Sequence, residues 1–165
     1  MTQITFKRYA MKYFSLLLSL FMVNVIQSQI DEEVKVKYAV ETFFYAFNSK
    51  NEFAMKGVVD ADVKMQTVNL NVLGNMIVQN TNFNDLVNFM ITTPDSIPFH
   101  EKILDYKIQI DGGMAHVWAP YEFWYNGEFS HCGVNSFQLY KEEDAWKIIY
   151  LVDSRRKEDC DPVSE

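Results

Sequence analysis

The chain has 165 residues, a formal net charge of −7, and a composition that is 48% hydrophobic and 15% aromatic. That is enough for one domain with its own core and too aromatic for a disordered chain. It is also acidic and without a basic stripe, which argues against nucleic-acid binding, where Lys and Arg must displace counterions from phosphates. The one basic cluster, Arg155-Arg156-Lys157, is followed by Glu158, Asp159 and Asp161 and reads mostly as a solvated strand end.

The first 28 residues read as an address. Lys7, Arg8 and Lys12 precede an apolar run from Phe14 to Ile26, and small Ser28 follows. A basic start, a short apolar middle and a small residue at the exit describe a secretory signal peptide. The run is too short to cross a bilayer core, which takes about 20 residues. The expectation is therefore export to the periplasm or beyond, with no stable membrane anchor and one domain over residues 29–165. Loss of the three cations takes the charge from −7 to −10. Cys132 and Cys160 both remain. An exported protein can join them, and two unpaired, half-buried thiols are the equal alternative.

Val36, Val40, Phe43, Phe44 and Phe47 fall on one helical stripe, so residues 31–49 read as a helix with Asp31, Glu32 and Glu33 in its first turn. A second short helix is expected over Glu52–Val59. Val63–Val72 alternates and is rich in Val and Thr, as a strand would be. Asn82 or Asn84 caps a third helix with Phe83, Leu86, Val87 and Met90 inward, and Thr93-Pro94-Asp95-Ser96 ends it. Beyond Phe99 the pattern is a four-strand antiparallel meander: "KILDYKIQI", "MAHVWAPYEFWY", "EFSHCGVNSFQLY" and "AWKIIYLVDSRR". A single strongly bent sheet over its helices would bury all of it, an α+β fold.

Asn126-Gly127 is a strong two-residue hairpin signal. It sets Tyr125 opposite Glu128 and Trp124 opposite Phe129. Unbroken pairing then puts Glu122 opposite His131 and Trp118 opposite Asn135, all on one face. A carboxylate beside an imidazole favours its charged form and can fix its tautomer, so His131 and Glu122 are the catalytic candidates, with a polar pair at a wet cavity mouth as the alternative. A bulge at Pro120 would leave this pair intact and shift the Trp118 rung. Trp118 and Trp124 either stack on a flat ligand or pack a core. A three-residue turn at Glu142–Asp144 would bring Asp153 and Arg155 to the same rim, Arg155 opposite His131. Adjacent His131 and Cys132 point to opposite faces of a strand, which excludes joint metal chelation and a Cys–His nucleophile pair. No phosphate loop is present, and neither metal nor cofactor is expected. Apolar residues on both faces of the hairpin point to a homodimer through the outer sheet face.

The segments "VETFFYAFNSKN", "AHVWAPYEFWYNGEFSHCGVNSFQL" and "AWKIIYLVDSRR" resemble the nuclear transport factor 2-like superfamily, and within it the lumazine-binding group common among exported bacterial proteins. The resemblance implies an α-α-β-α-β-β-β cone, a mostly antiparallel sheet wrapped on helices, and a cavity for a small flat or apolar molecule. It implies that the face carrying Trp118, Glu122, His131 and Asn135, which Trp124 shares, is the ligand face. Asn135 stands where ketosteroid isomerases of the superfamily place an acid. Those isomerases also need a catalytic Asp after the second helix and a Tyr on the first, whereas the expected strand interior here is Val63 to Val68. Dehydratases of the fold use paired histidines, and only His131 is well placed. The resemblance therefore does not carry either activity. What it leaves is a binding domain, or a polyketide-cyclase or isomerase type of enzyme using Glu122 and His131.

Overall fold

A computed structural model describes residues 30–160; the signal-peptide segment lies outside the described residues. The chain divides into two compact units, residues 1–34 and Lys35–Glu165. Of the first, only 30–34 are described, and the packing and the site below belong to the second.

Helix α1 covers residues 30–48. Its apolar stripe is buried as the spacing requires, with Val36, Val40, Phe43, Phe44 and Phe47 each no more than 5% exposed. Asn51 caps α2 (Glu52–Val58) by accepting from the Ala54 amide at 3.0 Å. Strand β1 (Val59–Leu70) follows directly, four residues earlier than the alternation indicated, and turns into β2 (Met76–Thr81), a strand the sequence pattern did not show. Asp60 therefore lies within β1. Asn82, not Asn84, caps α3 (Phe83–Thr92).

The remainder is β3 (Phe99–Ile103), β4 (Lys107–Asp111), β5 (Met114–Tyr125), β6 (Glu128–Glu142) and β7 (Ala145–Ser154). The sheet runs β2-β1-β7-β6-β5-β3, with β4 also on β5. Among the described residues, β1 and β7 alone pair in parallel. The expected order of helix, helix, strand, helix and a four-strand meander holds, with β2 added and the first meander strand split into β3 and β4. Pro120 explains the split. Its carbonyl accepts from the Leu104 amide at 2.9 Å, so its missing N–H falls on the same edge. There the ladder stops: β3 takes Tyr121–Tyr125 of β5 and β4 takes Met114–Trp118.

Two bulges decide which residues face inward. The β5–β6 pairing begins as the turn requires, Tyr125 with Glu128 and Trp124 with Phe129. Ser130 is then an extra residue, so His131 lies opposite Phe123, Glu122 opposite Cys132 and Trp118 opposite Ser136. The bulge sits on the turn side of Pro120, the one place where it undoes the expected Glu122–His131 pair. The β6–β7 turn is two residues, not three, with Glu142 opposite Ala145. Unbroken pairing from such a turn would send Asp153 to the outer face, but a second bulge, at Ile149, restores the inward parity and sets Asp153 opposite Asn135. Arg155 is not opposite His131; Arg156 pairs with Cys132. Cys132 and Cys160 form a disulfide, with Cα atoms 5.8 Å apart.

Candidate functional site

A cavity of about 1060 Å³ opens between the helices and the inner face of the sheet. One wall is aromatic. Phe43, Phe44 and Phe47 from α1 and Phe89 from α3 reach it, because residues three and four apart share a helix face. Their rings hold one another edge-on or tilted: Phe43 to Phe44 at 5.6 Å, Phe44 to Phe137 at 5.6 Å, Phe89 to Phe99 at 5.2 Å.

The opposite wall is polar and belongs to the sheet. Asp153 is its centre, buried at 8% exposure. Its Oδ1 accepts from Thr67 Oγ1 at 2.6 Å, and its Oδ2 accepts from Arg155 Nε at 2.6 Å and Tyr121 OH at 3.2 Å. Thr67 is there because β1 runs parallel to β7 and pairs these two residues. Burial pushes the Tyr121 phenol far up, helped by the charges of Asp153 and Glu101, so it remains a donor. Burial works against the charge on Arg155, and the Asp153 hydrogen bond and charge outweigh it, so its pKa is raised.

Beside this cluster sits Glu101 on β3, paired with Phe123 and therefore inward. Asn48, at the end of α1, fixes its backbone from both sides, accepting from the Glu101 amide at 2.8 Å and donating to its carbonyl at 3.0 Å. Asn135 donates to Glu101 Oε1 at 2.6 Å. The residue keeps some surface toward the cavity, yet its carboxyl is enclosed by protein. Desolvation raises its pKa to about 7; the Asn135 hydrogen bond works against this and the Asp153 charge adds to it. His131 moves the other way, to about 4, through burial and then the nearby Arg155 charge. Its ring lies 5.1 Å from that of Phe123, and its Nδ1 is 3.0 Å from Ser130 Oγ.

Of the residues expected at the ligand face, His131, Asn135, Asp153 and Arg155 line the cavity. Trp118, Glu122 and Trp124 do not. The Ser130 bulge leaves them on the outer face, where Trp118 and Trp124 are 44% and 38% exposed and Glu122 accepts from Trp124 Nε1 at 3.3 Å. No Glu122–His131 acid–base pair exists. Asp60 and Asp62, the acids that follow α2, do not line the cavity either. Thr67, Glu101 and Tyr121 are the residues that sequence reasoning missed. Tyr121 shares a face of β5 with Phe123, the face that the expected register turned outward. Glu101 lies in a strand of mixed charge, and nothing local marks it.

No family model matches the sequence, and no curated protein matches it. Solved structures do match. A Mycobacterium tuberculosis protein of unknown function aligns at 14% identity and TM-score 0.62, over 85% of this chain and 80% of its own. An NTF2-like protein of unknown function from Shewanella baltica aligns at 13% identity and TM-score 0.57, over 77% and 95%. A supposed dehydratase of the NTF2-like family from Streptomyces avermitilis aligns at 15% identity and TM-score 0.57, over 76% and 97%. The chain has the nuclear transport factor 2-like fold. At these identities the likeness carries architecture and no activity.

Proposed function

We propose that this is a small-molecule-binding domain, and that the ligand lies between the phenylalanine wall and the polar sheet wall. The observation that carries this is the cavity itself. It has the volume of a ligand site, and apolar lining with a few convergent polar groups is the pattern of such sites. A flat heteroaromatic of the lumazine or pterin kind suits such a space, with its ring against Phe44 and Phe89 and its edge toward Glu101 and Arg155. Calorimetric titration with lumazine, a pterin and a flavin, on wild type and on Leu86→Trp, tests it. The added indole fills the cavity, so binding is expected in wild type and absent in a folded L86W. Equal binding by both proteins, or none by either, contradicts the reading.

A second reading is an enzyme of cyclase or isomerase type, favoured by one feature. Glu101 exchanges its proton near neutral pH beside the cavity, the poise a general acid or base needs. Loss of any turnover in Glu101→Gln with ligand affinity retained would support it.

Export and homodimerisation complete the proposal. The basic and apolar pattern before Ser28 and the Cys132–Cys160 disulfide support export. The exposed Trp118, Trp124 and Phe129 on the outer face support a second copy there. Sedimentation equilibrium at micromolar concentration is expected to give a dimer, and a pure monomer would contradict it.

A further inference from the structure

Most polar groups on the sheet wall have their donors engaged within the wall. Thr67 and Tyr121 donate to Asp153, and Asn135 donates to Glu101. Arg155 differs. Only its Nε holds Asp153; its two terminal nitrogens make no hydrogen bond to another described residue, and its side chain is 46% exposed at the cavity. Asp153 thus fixes the guanidinium while leaving its outer pair of donors available. Arg156 and Lys157 continue the same rim, and neither forms an ion pair among the described residues.

The acids at the cavity do not cancel this. Asp153 accepts three hydrogen bonds already. Glu101 sits deeper, against Asn135. Asp85 lies on the α3 wall, and Glu158 and Asp159 lie beyond the cations on exposed chain. His131, uncharged at neutral pH, completes the surroundings of Arg155.

We infer that the ligand carries a carboxylate on an aromatic or otherwise apolar body, the carboxylate held by the terminal nitrogens of Arg155 and the body lying against Phe44, Phe89 and Phe123. The fork of a guanidinium matches a carboxylate with two parallel N–H donors, which a lysine cannot reproduce. The inference rests on the small-molecule reading of the cavity and adds the chemical class of what enters.

Titration with 2-naphthoate and with 2-naphthylmethanol separates the two claims, because these share a body and differ in charge. Wild type is expected to bind the acid at least about tenfold more tightly than the alcohol. Arg155→Gln should lose that preference and keep its affinity for the alcohol. If R155Q does not fold, Arg155→Lys replaces it, and retaining most of the alcohol affinity while losing part of the preference is the expected result. Equal affinity of wild type for both compounds overturns the carboxylate inference and leaves the cavity reading standing. A preference undiminished in the variant overturns the role of Arg155. Failure of both compounds to bind wild type overturns the inference and the cavity reading together.

Discussion

The two walls of the cavity are stabilised in different ways. The helix wall is mainly rings on rings, which have no donor or acceptor to satisfy, so its energy follows volume and contact. The sheet wall is a set of hydrogen bonds around Asp153 and Glu101, open at the terminal nitrogens of Arg155, in which loss of a donor leaves a buried carboxylate short of a partner. The first tolerates change of shape with repacking. The second depends on which way each strand residue points, and one residue more or less in a strand reverses that.

Gly133 puts the sheet wall under the severest test. A Cβ there would lie 1.7 Å from the Ser154 carbonyl oxygen and 3.0 Å from Tyr121 Cε1. No rotamer change can move a backbone oxygen, so the end of β7 must shift. Gly133→Ala is expected to cost at least about 3 kcal/mol in urea unfolding, the upper end for overpacking, and to displace Arg155. On the helix wall, Phe44→Ala should cost about 3–5 kcal/mol, whereas Phe44→Leu should cost under about 1.5 kcal/mol as a milder change. A milder version of the sheet-wall test is Thr67→Val, which leaves Asp153 Oδ1 without its donor at 2.6 Å; about 1–3 kcal/mol is expected despite the matched volume.

The pH dependence gives a finer contrast within the sheet wall. Between pH 4.5 and about 7 the folded protein holds a proton on Glu101 that the unfolded chain releases, so this contribution is lost as pH rises. Between pH 6.5 and about 4 the unfolded chain protonates His131 and the folded ring stays neutral, so that contribution is lost as pH falls. Relative to wild type, Glu101→Gln should therefore gain stability as pH rises through its window. His131→Asn should gain as pH falls through its own. Denaturant midpoints measured across pH 4–7 give both slopes, and parallel slopes would contradict the assignment. Least affected should be Glu122→Gln, on the outer face, with a change within about 0.5 kcal/mol and no change in ligand affinity.

The helix wall was legible because a period of 3.6 needs no partner: Val36, Val40, Phe43, Phe44 and Phe47 mark the buried stripe by themselves. The sheet wall was legible only near its turn. Asn126-Gly127 set the Tyr125 and Trp124 rungs as expected, and then a single extra Ser130 separated the two strands' faces, so that His131 stays inward as expected while Glu122, Trp118 and Trp124 face outward. Asp153 reached the expected face through a two-residue turn offset by a bulge at Ile149, two departures that cancel. Glu101 was hidden because its side depends on β3 pairing with β5, a contact across sequence that no local pattern encodes. The disulfide was permitted by compartment and undecided by spacing.

The central claim is that a ligand enters between these two walls, on the face that carries His131. Two-dimensional NMR during titration with 2-naphthylmethanol reads this directly. Perturbation of the His131 imidazole and Phe89 ring signals, with the Trp118 and Trp124 indole N–H signals unmoved, is the predicted result. Movement of those indole signals with His131 and Phe89 unchanged would contradict it.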